Sequence, residues 1–208
     1  GLAPNPALLP ERAVSGDLGV AWETRVIEAS VTAYYGLYEN LITYEFFPPN
    51  LPRPYNVPGA DVGGTESTLR FTPWRFFAAE ANWTWMRTRD LREDPRYHLK
   101  ALPYRPEHRG HLRLEGGPQV LRVHATLEAQ SAQFASRDHR TEIPARALVH
   151  AGMTWRTGSA ALPLELVFEA RNLTDARVHD LAGYPLPPRA FHLSLRAHTG
   201  AGGGARTE

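Results

Sequence analysis

The stretch Val120–Gln130, VLRVHATLEAQ, alternates without a break: Leu121, Val123, Ala125, Leu127 and Ala129 are apolar, and Arg122, His124, Thr126, Glu128 and Gln130 are polar or charged. A strand sends successive side chains to opposite faces, so this pattern specifies a strand with one apolar and one charged face. A strand of about ten residues is what a tilted crossing of a bilayer requires, whereas strands of soluble domains peak at about 5–6 residues. One face could meet lipid while the other meets water. A single stretch does not decide between the two settings; recurrence does.

The alternation recurs about nine times. Expected strands lie near 16–23 (Leu18, Val20, Trp22), 26–42 (Ile27 to Tyr35), 60–72, 76–88 (Phe77, Ala79, Ala81, Trp83, Trp85) and 107–115 (Leu112, Leu114). Four more lie near 119–133, 145–157 (Ala147 to Trp155), 163–172 (Leu164, Leu166, Phe168) and 189–198 (Phe191, Leu193, Leu195). The connections at 24–25, 73–75, 116–118 and 158–162 are short, and those at 43–58, 89–106, 134–143 and 173–188 are long. The segment Phe46 to Pro58 carries five prolines and is expected to be a loop. Short turns at one end and long loops at the other are the pattern of an outer-membrane barrel, and Trp22, Tyr35, Trp74, Trp83, Trp85 and Trp155 near strand ends suit an interfacial girdle. The expected fold is therefore all-β: a transmembrane, antiparallel, up-and-down barrel wall of about nine strands. The competing fold is a soluble β-sandwich, in which the same aromatics are core residues.

Composition narrows the function classes. The 23 basic and 22 acidic residues leave a net charge of +1, which draws the chain to neither nucleic acid nor an anionic surface. Without cysteine there is no disulfide, thiol nucleophile or Cys-ligated metal. A mean hydropathy of −0.39 is compatible with a barrel, whose strands are polar at every second position. His108 and His111, three apart in a strand, fall on opposite faces, so no metal site is expected there, and no cofactor is expected elsewhere. No nucleophile elbow or phosphate loop is present, so the chain is not expected to be an enzyme.

Five short motifs stand in a fixed order. Asn5-Pro6 with Leu9-Pro10-Glu11 precedes Asp17-Leu18-Gly19; Asn40-Leu41-Ile42 follows; then Asn56 with Gly64-Thr65-Glu66; then Leu102-Pro103 with Arg105-Pro106-Glu107-His108; and last Asn172-Leu173-Thr174-Asp175 with Asp180, Gly183-Tyr184-Pro185 and Arg189. Together they resemble the C-terminal part of the barrel of TonB-dependent outer-membrane receptors. The sequence departs from that pattern at Pro187-Pro188-Arg189, where the family has Pro-Gly-Arg, and at His198, where the last strand of the family closes on an aromatic residue. The resemblance implies that residues 1–198 form the last nine strands of a barrel of 22. The plug domain is absent from the chain, and a Gly-rich, disordered tail is expected at 199–208. The chain opens Gly1-Leu2-Ala3-Pro4 and is expected to be a mature form or a part of something longer.

The resemblance also implies a function: capture of a scarce, bulky nutrient such as a ferric siderophore or cobalamin, in the outer membrane of a Gram-negative cell, with TonB acting through the missing plug. The partners implied are TonB, that ligand and outer-membrane lipid, with no nucleic acid. For ligand contact the candidates are Arg92, Arg96, Tyr97, His98 and Arg105, a cationic and aromatic set that suits an anionic chelate. Lumen-facing candidates are Arg122, His124, Glu128, His150, Arg156, Glu169 and Arg171. The bland alternatives are a solvated loop, or one pairing with lipopolysaccharide phosphates, and a hydrated wall. A passive outer-membrane pore and a soluble binding protein are the competing functions.

Overall fold

The structure, a computed structural model, describes residues 3–45, 52–158 and 162–197. Thirteen strands and no helix are present among them. Nine form one antiparallel sheet in the order β1-β2-β3-β4-β5-β6-β9-β10-β13. These are β1 Arg12–Glu23, β2 Ile27–Glu45, β3 Arg53–Trp74, β4 Phe77–Asp90, β5 His108–Gly116, β6 Leu121–Gln130, β9 Arg146–Gly158, β10 Pro163–Arg171 and β13 Ala190–Ala197. Two small ribbons, β7 Gln133–Phe134 with β8 Glu142–Ile143 and β11 His179–Leu181 with β12 Tyr184–Pro185, sit within the long connections. Every neighbour in the large sheet is the next large strand in sequence, so the topology is a simple meander. One sheet, with no second sheet packed against it among the described residues, replaces the sandwich alternative.

The register sorts the side chains. Trp22, Ala29, Leu69, Ala81, Leu112, Leu127 and Val149 lie in one cross-strand row. Phe77, Gly116, Val123, Met153, Phe168 and Leu193 lie in another on the same face. Glu28, Arg70, Glu80, Arg113, Thr126 and His150 form a row on the opposite face. The apolar face is the bare one: Leu18 is 78% exposed, Val20 72% and Leu195 69%. Along β6, Leu121, Val123, Ala125 and Leu127 are exposed, whereas Arg122 and His124 are half-buried and Thr126 is buried. This is the inverse of a water-soluble sheet, where apolar burial stabilises by about 25 cal/mol per Å². On β4 the band from Phe77 to Trp85 spans about 27 Å along the strand, or about 20 Å along the normal of a sheet tilted by about 40°.

Several strands outrun their sequence-predicted limits. β1 begins at Arg12 rather than 16, β2 reaches Glu45, and β3 begins at Arg53, inside the segment read as a proline loop. Pro58 is tolerated because the ladder is interrupted there, while Pro54 pairs with Tyr44. Glu39 pairs with Gly59 and Leu41 with Val57, but Asn40 and Pro58 between them do not pair, and Asn40 adopts φ 53°. A missing proline N–H costs nothing at an unpaired position. Beyond the break the facing changes, so that Val57 and Ala60, three residues apart, share one small core with Leu41 and Leu102. The strand expected at 119–133 stops at Gln130, and Gln133–Phe134 pairs instead with β8. The turn at Gly117 holds φ 108°, where a Cβ would stand 2.2 Å from the Leu121 carbonyl oxygen, so only glycine fits. The expected turn at 158–162 lies mostly outside the described residues, as do His198 and the Gly-rich stretch.

The strand β1 is exposed throughout, and neither β1 nor β13 has a partner on its outer edge among the described residues. Both run from the end with the long connections toward the end with the short turns.

Candidate functional site

Three long connections meet above one end of the sheet. In the first, residues 91–107, Asp94 is the organiser. Its carboxylate accepts hydrogen bonds from the Arg96 backbone N–H (3.0 Å), Nε (3.1 Å) and Nη2 (2.8 Å). The guanidinium of Arg96 and its backbone N–H together hold the Asp94 carboxyl down at about 2. The Asp94 carbonyl also accepts from the N–H groups of Tyr97 and His98, both at 2.9 Å. One step earlier, buried Asp90 accepts from Arg92 Nε at 2.9 Å. His98 Nδ1 stands 2.9 Å from the Arg92 carbonyl oxygen. Arg92 and Arg96 lie over the Tyr97 ring at 4.9 and 5.4 Å from its centroid.

The second connection, 131–145, clasps the first. Arg137 stacks on Tyr55 at 4.3 Å and on Tyr97 at 5.3 Å. Lys100 Nζ donates to the Asp138 carbonyl (2.8 Å), and the Tyr104 N–H to the Phe134 carbonyl (2.8 Å). Asp138 is held below the usual carboxylate range by hydrogen bonds from Ser136 and then from the Arg140 backbone. The third connection, 172–189, joins through Asp180: its carboxylate pairs with Arg146 Nε at 2.5 Å, and its carbonyl accepts from Gln133 Nε2 at 2.9 Å. Buried Asn172, at φ 48°, knots this loop by bonding Ala176 on both sides of its amide and the Pro187 carbonyl.

Of the five predicted ligand-contact residues, Arg92, Arg96, Tyr97 and His98 are thus brought together, and Arg105 stands apart. Arg92 is spent internally, with its side chain 14% exposed, whereas the Arg96 side chain is 75% exposed. Arg105 lines a separate hollow of about 320 Å³ with Tyr44, Pro103, Tyr104 and Leu181. Burial in that wall raises the Tyr104 phenol above its ordinary value. Sequence reasoning missed Asp90, Asp94 and Arg137. The spacing Asp90-x-Arg92 and Asp94-x-Arg96, an aspartate two residues before an arginine, was an available signal for the first two.

All seven predicted lumen residues fall on the polar face. Arg122 Nε is 3.3 Å from Glu115. His124 Nε2 is 3.4 Å from Glu169, reaching across the intervening strand over Gly152. His150 Nδ1 accepts from the Asn172 N–H at 3.2 Å, which places its proton on Nε2, 3.8 Å from Glu128. Arg156 and Arg196 both pair with Glu165, at 3.1 and 3.2 Å. Arg171 has no ion pair among the described residues. Two further histidines share this face, His111 opposite Glu128 and His192 opposite Glu169. His108, in contrast, pairs with Trp85 on the apolar face. No group of three or more metal-ligating side chains occurs among the described residues.

A family profile described as "TonB dependent receptor-like, beta-barrel" matches residues 1–173. Solved structures give the same answer for the fold. The ferric preacinetobactin receptor BauA from Acinetobacter baumannii superposes with a TM-score of 0.74 at 16% identity, over 91% of this chain and 31% of that one. The ferric citrate transporter FecA gives 0.72 at 19% identity, over 90% and 31%. The ferric yersiniabactin uptake receptor FyuA from Yersinia pestis gives 0.67 at 15%, over 88% and 28%. The chain therefore spans about a third of the length of the receptors it superposes on. No curated protein matches it by sequence. The chain belongs to the TonB-dependent receptor β-barrel family.

Proposed function

We propose that this chain is the late wall of an outer-membrane receptor that takes up a bulky chelate such as a ferric siderophore or cobalamin, with TonB acting through a plug domain carried outside this chain. One observation carries the reading. The sheet is inside-out, with a bare apolar band on one face, a charged and histidine-rich wall on the other, short turns at one end and interlocked loops at the other. Only a lipid surround satisfies the first face and only a hydrated lumen the second. Residues 1–198 then belong to one barrel, and its open edges at β1 and β13 are covered by strands of the same barrel.

In this role Arg96, Tyr97, His98 and Arg105 face the incoming ligand, and Arg92 holds Tyr97 for it. Arg122, His124, Glu128, His150, Arg156, Glu169 and Arg171 hydrate the lumen wall and hold the plug. The structurally similar receptors named for ferric preacinetobactin, ferric citrate and ferric yersiniabactin support the ligand class. The test is uptake of radiolabelled ferric chelates by cells that do or do not express the full-length protein. Saturable uptake that stops when TonB is deleted is expected. Uptake that persists without TonB would replace the receptor with a passive pore.

A further inference from the structure

The third connection is tied down at its root by two consecutive backbone N–H groups. That of Leu173 donates to the Val149 carbonyl at 2.7 Å, and that of Asn172 donates to His150 Nδ1 at 3.2 Å. The first acceptor is fixed. The second is an imidazole nitrogen, which accepts only while it carries no proton. Asn172 is buried, so a doubly protonated ring would leave two donors facing each other in a closed space.

The other side of the ring suits the charged form. His150 Nε2 is buried without a hydrogen-bond partner among the described residues, and Glu128 Oε1 stands 3.8 Å away, too far for a hydrogen bond. His111, whose Nδ1 is also buried without such a partner, flanks Glu128 from β5. The remaining charges around the ring come from four directions. Arg171 lies one residue past the Ala151–Ala170 pair on β10, and Arg113 stands opposite Thr126 on β5. Arg146, on β9 itself, is held by Asp180, and Glu169 by His124. Asp175 of the connection accepts from the Arg189 N–H. Glu128 is the one carboxylate within ion-pair reach of His150 among the described residues.

We propose that His150 is a proton-operated latch on the third connection. Neutral, it holds the Asn172 knot against β9. Protonated, its Nδ1–H opposes the Asn172 N–H, the ring turns to Glu128, and residues 172–189 come free. Leu181 of that connection walls the hollow lined by Arg105, and Asp180 joins it to the second connection through Gln133. Release of the knot therefore loosens the ligand-facing loops together. The inference gives those loops a regulator, and for that purpose alone it rests on the receptor reading above.

Histidine is the side chain that changes charge between pH 5 and 8. The test is hydrogen–deuterium exchange of the 172–189 amides in the full-length protein in mild detergent, stepped between those limits and corrected for the intrinsic pH dependence of exchange. Loss of one hydrogen bond at the root makes exchange about tenfold faster at the acid limit in wild type. His150→Asn keeps an acceptor near the Nδ1 position and does not titrate, so exchange is expected to stay slow throughout. Glu128→Gln, at a half-exposed position, is expected to move the transition to lower pH. A rise with acid that persists in His150→Asn overturns the proposal and assigns the response to His98, His139 or His179, the other imidazoles of these loops. A flat wild-type profile overturns it too, as does an unchanged midpoint in Glu128→Gln. Uptake assays separate the two levels. A flat exchange profile with TonB-dependent uptake intact refutes the latch alone, whereas a working latch in a protein without TonB-dependent uptake refutes the receptor reading alone.

Discussion

Gly152 is a position where one added methyl group should disrupt a cross-strand contact. It lies on β9 between His124 on β6 and Glu169 on β10, and its missing side chain lets those two meet at 3.4 Å. A Cβ there would stand 2.5 and 2.7 Å from His124 Cε1 and Nε2, and 2.9 Å from Glu169 Oε2. All three distances are shorter than real Cβ contacts, so Gly152→Ala must displace the ring. Overpacking of this kind costs about 1–3 kcal/mol. The His124 side chain is 13% exposed and that of Glu169 33%, so loss of their contact adds only about 0.5–1 kcal/mol. The sum is about 1.5–4 kcal/mol. The assay is equilibrium unfolding of the full-length barrel in urea, run as a double-mutant cycle with His124→Ala. In the His124→Ala background the cost of Gly152→Ala should fall below about 1 kcal/mol, because the ring it strikes is gone. An equal cost in both backgrounds would refute the steric account and leave a backbone effect of the glycine itself.

Leu127→Arg, in the middle of the apolar band, should destabilise the inserted barrel by about 2–4 kcal/mol, whereas Arg113→Leu on the polar face should change it by less than about 1 kcal/mol; urea unfolding in lipid measures both, and the reverse order would contradict the inside-out assignment. Leu102→Ala should cost about 2–4 kcal/mol, because Leu102 is 3% exposed in the small core beneath the first connection, and trypsin should then cut at Arg96 or Lys100 faster than in wild type. Asn172→Ala should lower stability by about 2–4 kcal/mol by removing three hydrogen bonds at a left-handed residue, and Asn172→Gly should recover only the backbone part of that loss. Asp94 has a folded value of about 2, depressed from 3.8, so its clasp on Arg96 is fully present above about pH 4 and is lost as pH falls toward 2. Pepsin cleavage near Leu99 should rise across that window, and Asp94→Asn should flatten the rise.

The sheet was legible because the alternation is physical: Leu121 to Gln130 can present only two faces, and the same logic set the other eight strands and the order of short and long connections. The ends were less legible. Pro54 and Pro58 spoke for a loop; the unpaired position opposite Asn40 reconciles Pro58 with a strand, whereas Pro54 stays in the ladder opposite Tyr44. Parity alone put the seven residues expected to face a lumen on one side of their strands, and all seven fall on the polar face. The loops did not follow. Arg146 and Asp180 are 34 residues apart, as Lys100 and Asp138 are 38 apart, and no local pattern joins them. Arg92, which local composition marked for ligand contact, instead turns inward to Asp90 two residues before it, a local pairing the spacing could have signalled.

The direction of the two open edges limits what can complete this sheet. Because β1 and β13 point the same way, a second copy in the same membrane orientation could meet either edge only as a parallel neighbour, with slanted and weaker hydrogen bonds. Two such chains therefore cannot close on each other as an antiparallel wall. Complementation by a separately expressed piece obeys an arithmetic rule: the piece must supply an odd number of strands, beginning and ending with ones that climb toward the loops. A split gene cut one strand away from that rule would yield two halves that insert and never join.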